Sequence, residues 1–166
     1  MAVAYTLQEL KAIDRELYLF DVFEDIMPAA NEVDVTRDGT RLKDQAPEQG
    51  APYWNFVTEA EVKRNITSTG YPESLIHLVR GPVEQTLPDH APKQCALIRL
   101  DTDLYESTKH EFESLYPRLV RGGIIIIDDY GSHQGVKKAV DEFNASLSEP
   151  FFFVRIDEAG RVAVKP

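Results

Sequence analysis

Apolar residues along this chain fall into two periods. Leu7, Leu10 and Ile13 share one helical face in TLQELKAID, which opens with Thr6 and Glu9 in capping-box spacing. TEAEVKRNITS repeats the pattern with Thr58 and Glu61, and Gly70 supplies its stop. A third helix is predicted from about Thr108, capped against Glu111, with Phe112, Leu115, Tyr116 and Leu119 along its apolar side. A fourth carries Val136, Ala139, Val140 and Phe143 at helical spacing. Between them lie short runs with strand character: ELYLFDVFE closing at Asp21, SLIHLVRG ended by Pro82, CALIRLD and GGIIIIDD. Ile124 to Ile127, β-branched and bounded by Gly122-Gly123 and Gly131, read as a strand buried on both faces, as parallel strands under helices are. PFFFVRID and GRVAVKP, separated by Glu158-Ala159-Gly160, predict a closing antiparallel hairpin. The order specifies an α/β three-layer sandwich, mostly parallel with an antiparallel C-terminal edge, forming one domain over 1–166. Residues 27–57, rich in Pro, Gly, Asp and Asn and ending in Tyr53-Trp54-Asn55-Phe56, lack periodicity and predict a lid loop.

Two of the strands end in pairs of acids, Asp101 with Asp103 and Asp128 with Asp129. Ligands of such sheets bind outside the carboxyl ends of the strands. Carboxylates gathered at one edge repel one another and lose solvation, so they persist most easily around a cation or beside a group that gives up a proton. Asp128 and Asp129 are adjacent and would point to opposite faces of an extended strand; both reach one ion only if the chain turns, as Tyr130-Gly131 allows. Carboxylate oxygens without a nearby Cys or His pair favour a hard cation, Mg²⁺ before Ca²⁺ or Mn²⁺. Such an ion can take two oxygens of a diol and acidify a hydroxyl. Against this stands simple helix capping, with Asp103 or Glu106 favouring the N-terminus of the following helix.

Composition narrows the partners. The 166 residues are 43% hydrophobic, enough for a substantial core, and the formal net charge of -10 without a basic stripe argues against a nucleic-acid partner. The single cysteine, Cys95, lies in an apolar run and reads as a small buried hydrophobe. Neither a signal sequence nor a membrane-spanning apolar stretch is legible, so a cytoplasmic protein without a membrane partner is expected.

The stretch LDTDLYESTKHEFESLYPRLVRGGIIIIDDYGSHQGVKKAVDEF resembles the macrocin O-methyltransferase family, class I S-adenosylmethionine-dependent enzymes that methylate sugar hydroxyls of macrolide and aminocoumarin natural products. LYLFDVFEDIMP, EVKRNITSTGYPESLIHLVRGPVEQTLP and the C-terminal hairpin extend the resemblance over nearly the whole chain. It implies a Rossmann-like methyltransferase sheet and two cofactors, S-adenosyl-L-methionine and Mg²⁺. Asp101, Asp128 and Asp129 would hold the metal, and Asp103 would be the general base that takes the proton of the sugar hydroxyl. Asp21, Gly81 and Asp101 would bind the methyl donor, Asp21 through its ribose and Gly81 beside the adenine. His133, Tyr105 and Tyr130 are candidates for touching a small glycosylated or sugar-like acceptor, and a homo-oligomer is possible.

Against the family pattern, the chain has no glycine before Gly39, and only a helix precedes the strand ending at Asp21. The first strand and its Gly-rich loop, central in such sheets, are therefore expected to be missing, making this either part of a longer methyltransferase or a short form with impaired donor binding. Three other functions compete. Asp101-Thr102-Asp103 fits a DxD sugar-nucleotide transferase, although Asp128 and Asp129 then lack a role. An NTPase remnant lacks any GxxxxGK[ST] loop, and the third rival is a truncated, catalytically inactive domain that binds a partner through an exposed strand edge.

Overall fold

The computed structural model describes residues 1–23, 29–44 and 57–166. They belong to two compact units, the first comprising Met1–Met27 with Pro47–Thr86 and the second Pro28–Ala46 with Leu87–Pro166.

In the first unit, α1 (Ala2–Glu9) precedes β1 (Leu17–Asp21), and α2 (Glu59–Thr67) precedes β2 (Ile76–Arg80). The Thr6–Glu9 cap expected for α1 does not form, because the helix starts at Ala2 with Met1 as its cap residue. Its other end explains why Leu10 and Ile13 leave the apolar face. Lys11 takes φ +57, Ala12 N–H donates to Leu7 O and Lys11 N–H to Gln8 O, a left-handed stop that turns the chain away. Leu7 alone of the three packs on the core of Ala4, Ile66 and Tyr71. Thr58 and Glu61 do form the reciprocal cap predicted for α2. β1 and β2 pair in parallel, placing Asp21 beside Arg80 at their carboxyl ends. Pro82, which ends β2, also opens a helix that the pattern concealed, α3 (Val83–His90), where Gln85 and Thr86 donate back to the Pro82 carbonyl.

The second unit holds a four-stranded sheet in the order β3-β4-β6-β5, built from β3 (Cys95–Leu100), β4 (Leu119–Ile127), β5 (Val154–Arg155) and β6 (Arg161–Val164). β3 and β4 are parallel, while β4, β6 and β5 are successively antiparallel, so the hairpin is where the pattern placed it. Ile98, Leu100, Ile125, Ile127 and Ala163 are buried on one face, and α4 (Tyr105–Leu115) packs on β3 and against α5 (Gln134–Ser146). Phe112 of α4 stacks on Phe143 of α5 at 4.5 Å between centroids. The opposite face is open: Leu97 and Ile124 are 44% and 37% exposed, so the Ile124–Ile127 run is not buried on both sides as expected. Period-2 alternation carries that open face along β3 from Leu97 through Arg99 to Asp101. Among the described residues, β1 pairs only with β2, and β3 has only β4 beside it.

Candidate active site

The ends of β3 and β4 are tied by Asp128 N–H donating to Leu100 O at 3.0 Å, which brings the two acid pairs to one edge of the sheet. Past Leu100 the chain turns tightly around Asp103, with Leu104 N–H donating to Thr102 O at 2.8 Å and Asp103 at φ +61. Left-handed backbone is costly for residues other than glycine, least so for Asn and Asp, and such strain concentrates at functional sites. Thr102 Oγ1 donates to the buried Glu111 at 3.0 Å. Glu111 therefore steadies the acid turn and does not cap a helix at Thr108; α4 starts earlier, at Tyr105, and Thr108 is buried within it.

Asp128 and Asp129 lead into a turn that Gly131 makes possible by close approach. A Cβ at Gly131 would lie 1.9 Å from the Glu158 carbonyl oxygen in the β5–β6 hairpin loop, and Gly131 N–H donates to Ala159 O. Gly131→Ala is expected to lower stability by about 1–3 kcal/mol through overpacking, read from the urea unfolding midpoint. An unchanged midpoint would show that the hairpin loop yields freely. Ser132 Oγ donates to Asp129 Oδ1 at 2.9 Å, and His133 Nδ1 lies 3.2 Å from the same oxygen. Asp129 Oδ2 is buried without a partner. Ligand atoms of Asp101, Asp128 and Asp129 lie within 4.8 Å of one another, as do those of Asp103, Asp129 and His133.

Crowding divides the protons unequally. Burial, then the neighbouring Asp128, pushes the Asp101 carboxyl up to about 8 even though Arg99 attracts its charge. Burial and the Asp129 charge raise Asp103 to about 7. Burial would raise Asp129 as well, but hydrogen bonds from His133, Asp103 and Ser132 outweigh it and hold Asp129 at about 2. His133 is raised despite burial, because the Asp129 hydrogen bond and the surrounding acids favour its cation. Asp103 is thus a carboxyl poised near neutral pH beside one that stays ionised, a division suited to proton transfer. The orphaned Asp129 oxygen and the converging oxygens of Asp101 and Asp128 fit a hard divalent cation.

Three residues of this site escaped sequence reading. Arg99 bridges the pairs, with Nη1 2.8 Å from Asp101 and Nη2 2.8 Å from Asp128. Ser132 orients Asp129. Asp34, only 2% exposed, belongs to the stretch without periodicity. Its carboxylate accepts from Tyr105 N–H and from Asn31 N–H, each at 2.7 Å, and so caps α4. Residues 29–44, the described part of the expected lid, lie along the turn after Asp129: Gln134 N–H donates to Val35 O, Arg37 N–H donates to Ser132 O, and Thr36 bridges to His133. Tyr53 and Trp54 lie outside the described residues.

Of the acceptor candidates, His133 joins the acid cluster. The Tyr105 hydroxyl donates to Glu142, which pushes it up to about 12, and the Tyr130 hydroxyl donates to Asp141, so both end on α5. In the first unit, Asp21 and Gly81 meet: Gly81 N–H donates to Asp21 O at 2.9 Å, and Gly81 takes φ +128.

Parallel strands that deliver carboxylates to their carboxyl ends beside crossing helices define this as a Rossmann-like methyltransferase fold, shared with solved structures similar to it. The chain belongs to the macrocin-O-methyltransferase (TylF) family, whose model matches residues 1–162. The demethyldecarbamoylnovobiocin O-methyltransferase of Streptomyces niveus is 36% identical over 104 residues, 63% of this chain and 40% of that protein. In Streptomyces olivaceus, the 8-demethyl-8-(2,3-dimethoxy-alpha-L-rhamnosyl)-tetracenomycin-C 4'-O-methyltransferase is 43% identical over 92 residues, 54% of this chain and 35% of that protein. The match thus spans less than half of these relatives' length. The O-methyltransferase NovP superposes with a TM-score of 0.75 at 29% identity, covering 96% of this chain and 63% of NovP. Calicheamicin methyltransferase CalS11, at 21% identity and a TM-score of 0.71, shares the fold. Family membership leaves the sugar-nucleotide transferase and NTPase readings without support. No helix among the described residues is long and apolar enough to cross a membrane.

Proposed function

We propose that this chain carries the acid site of an S-adenosylmethionine-dependent O-methyltransferase acting on a sugar hydroxyl of a glycosylated small molecule, with a divalent cation, Mg²⁺ by preference, as its second cofactor. The carrying observation is the convergence of Asp101, Asp128 and Asp129 oxygens beside Asp103, which is held near neutrality in a strained turn. The relatives' names point to the same acceptor chemistry: each of the two curated ones is an O-methyltransferase of a natural product, and the second is a 4'-O-methyltransferase of a rhamnosyl compound.

Asp101, Asp128 and Asp129 would hold the cation, which supplies Lewis acidity toward the acceptor oxygen and fixes its direction. Asp103 accepts the hydroxyl proton, because an uncharged hydroxyl is a poor nucleophile at neutral pH. Ser132 and His133 hold Asp129 as the ionised member of the cluster. His133, Tyr105 and Tyr130 are the acceptor-side candidates, while Asp21 and Gly81 at the ends of β1 and β2 would meet the donor's ribose and adenine.

Calorimetric titration with Mg²⁺ tests the metal role. Asp101→Asn and Asp128→Asn should each weaken binding by on the order of 10-fold or more, since each removes a ligand charge. Unchanged affinity in both would remove the metal assignment. Titration with S-adenosylmethionine and with a nucleotide sugar tests the class: binding of the second alone would replace the methyltransferase reading.

A further inference from the structure

One positive charge already sits between the acid pairs. Arg99, the penultimate residue of β3, lies in register with Ile126 of β4, and strand alternation puts it on the open face with Asp101. Its two terminal nitrogens do not grip one carboxylate; one takes Asp101 Oδ2 and the other Asp128 Oδ1, each at 2.8 Å. Asp129 stands outside this fork, with one oxygen held by Ser132 and His133 and the other buried without a partner. The candidate ligands are therefore of two kinds: two engaged by a guanidinium and one with a free oxygen.

A guanidinium and a small dication cannot share those oxygens cheaply. Mg²⁺ requires oxygens at about 2.0–2.1 Å in near-octahedral array, whereas charge-assisted N–H bonds sit at about 2.7–2.9 Å, and like charges repel strongly at such separations. We propose that Arg99 is a built-in competitor of the divalent cation: it clamps Asp101 to Asp128 in the absence of the ion and releases at least one of them when the ion binds. Metal entry and Arg99 release are then a single exchange, begun at the free oxygen of Asp129. The clamp also offsets the repulsion that would otherwise open the strand ends, so the residue that keeps the empty cluster together sets the cation concentration needed to fill it. This inference rests on the cation-dependent reading of the site.

Titration of Mg²⁺ and Mn²⁺ by calorimetry into the wild type, Arg99→Gln and Arg99→Lys tests it. Arg99→Gln should bind at least several-fold more tightly, and Arg99→Lys should fall between, because one ammonium lacks the planar fork that spans two carboxylates. Arg121→Gln, at the far end of β4, controls for net charge and should match the wild type. Equal or weaker affinity in Arg99→Gln, or equal gains in Arg99→Gln and Arg121→Gln, would overturn the competition. If Arg99→Gln does not fold, phenylglyoxal labelling of the wild type reads the same exchange by mass spectrometry. Arg99 should react faster with Mg²⁺ present than with chelator, and an equal or slower rate overturns the proposal. Absence of cation binding by the wild type and every variant would instead remove the metal site itself, and the competition with it.

Discussion

Methyl transfer to a glycoside hydroxyl is expected to fall roughly 10²–10⁴-fold in Asp103→Asn, the range lost when a positioned general base is removed. Cation affinity should be largely spared, because Asp103 groups with Asp129 and His133 and is not itself one of the Asp101, Asp128 and Asp129 ligand set. Asparagine is the informative replacement. It keeps the shape of the side chain and tolerates the left-handed backbone at φ +61, whereas alanine would add strain to the lost chemistry. Single-turnover rates with saturating donor would isolate the proton-transfer step from binding. Turnover near the wild-type rate would show that another group takes the proton.

Asp34→Ala is the second large effect, and it concerns the fold around the site. The substitution strands two backbone N–H groups, those of Tyr105 and Asn31, at about 1–3 kcal/mol each. It also empties the space against Gly135, where a Cβ would lie 2.2 Å from the Asp34 oxygen. A total loss of about 2–5 kcal/mol should appear in chemical denaturation. Hydrogen exchange should quicken at the start of α4 and along residues 31–42. Asp34→Asn should be intermediate, since one of its two positions still accepts and the other presents a donor to a donor. An unfolding midpoint equal to that of the wild type would show that water replaces the carboxylate at no cost.

The strands and the acid pairs were legible because they are local. β-Branched runs bounded by glycine mark strand ends, and a carboxylate at a strand end is visible without knowing its neighbours. What escaped was set by partners far along the chain. α4 begins at Tyr105, three residues before its expected start, because its cap is Asp34, 71 residues upstream. The Thr108–Glu111 spacing suggested a local cap, yet Glu111 turns inward to Thr102. Arg99 carried no local signal, because one of its partners, Asp128, lies just past the end of the next strand. The segment from Asn31 to Leu42 has no period to read, since its order comes from side chains folding back on their own backbone, Asn31 Oδ1 on Val33 N–H and Thr36 Oγ1 on Thr40 N–H. α3 stayed hidden because Pro88 interrupts its pattern.

β3 ends in the acids at its carboxyl terminus and, among the described residues, has β4 on one side only. Its other side offers a row of amides and carbonyls able to receive a strand. Any polypeptide laid there would draw part of its binding free energy from Cys95–Leu100, the same backbone that aims Asp101 and Asp103. If docking along that edge orders the acids, order at the acids strengthens docking by the same factor. The reactivity of these carboxylates is in that sense a reporter of who stands beside them.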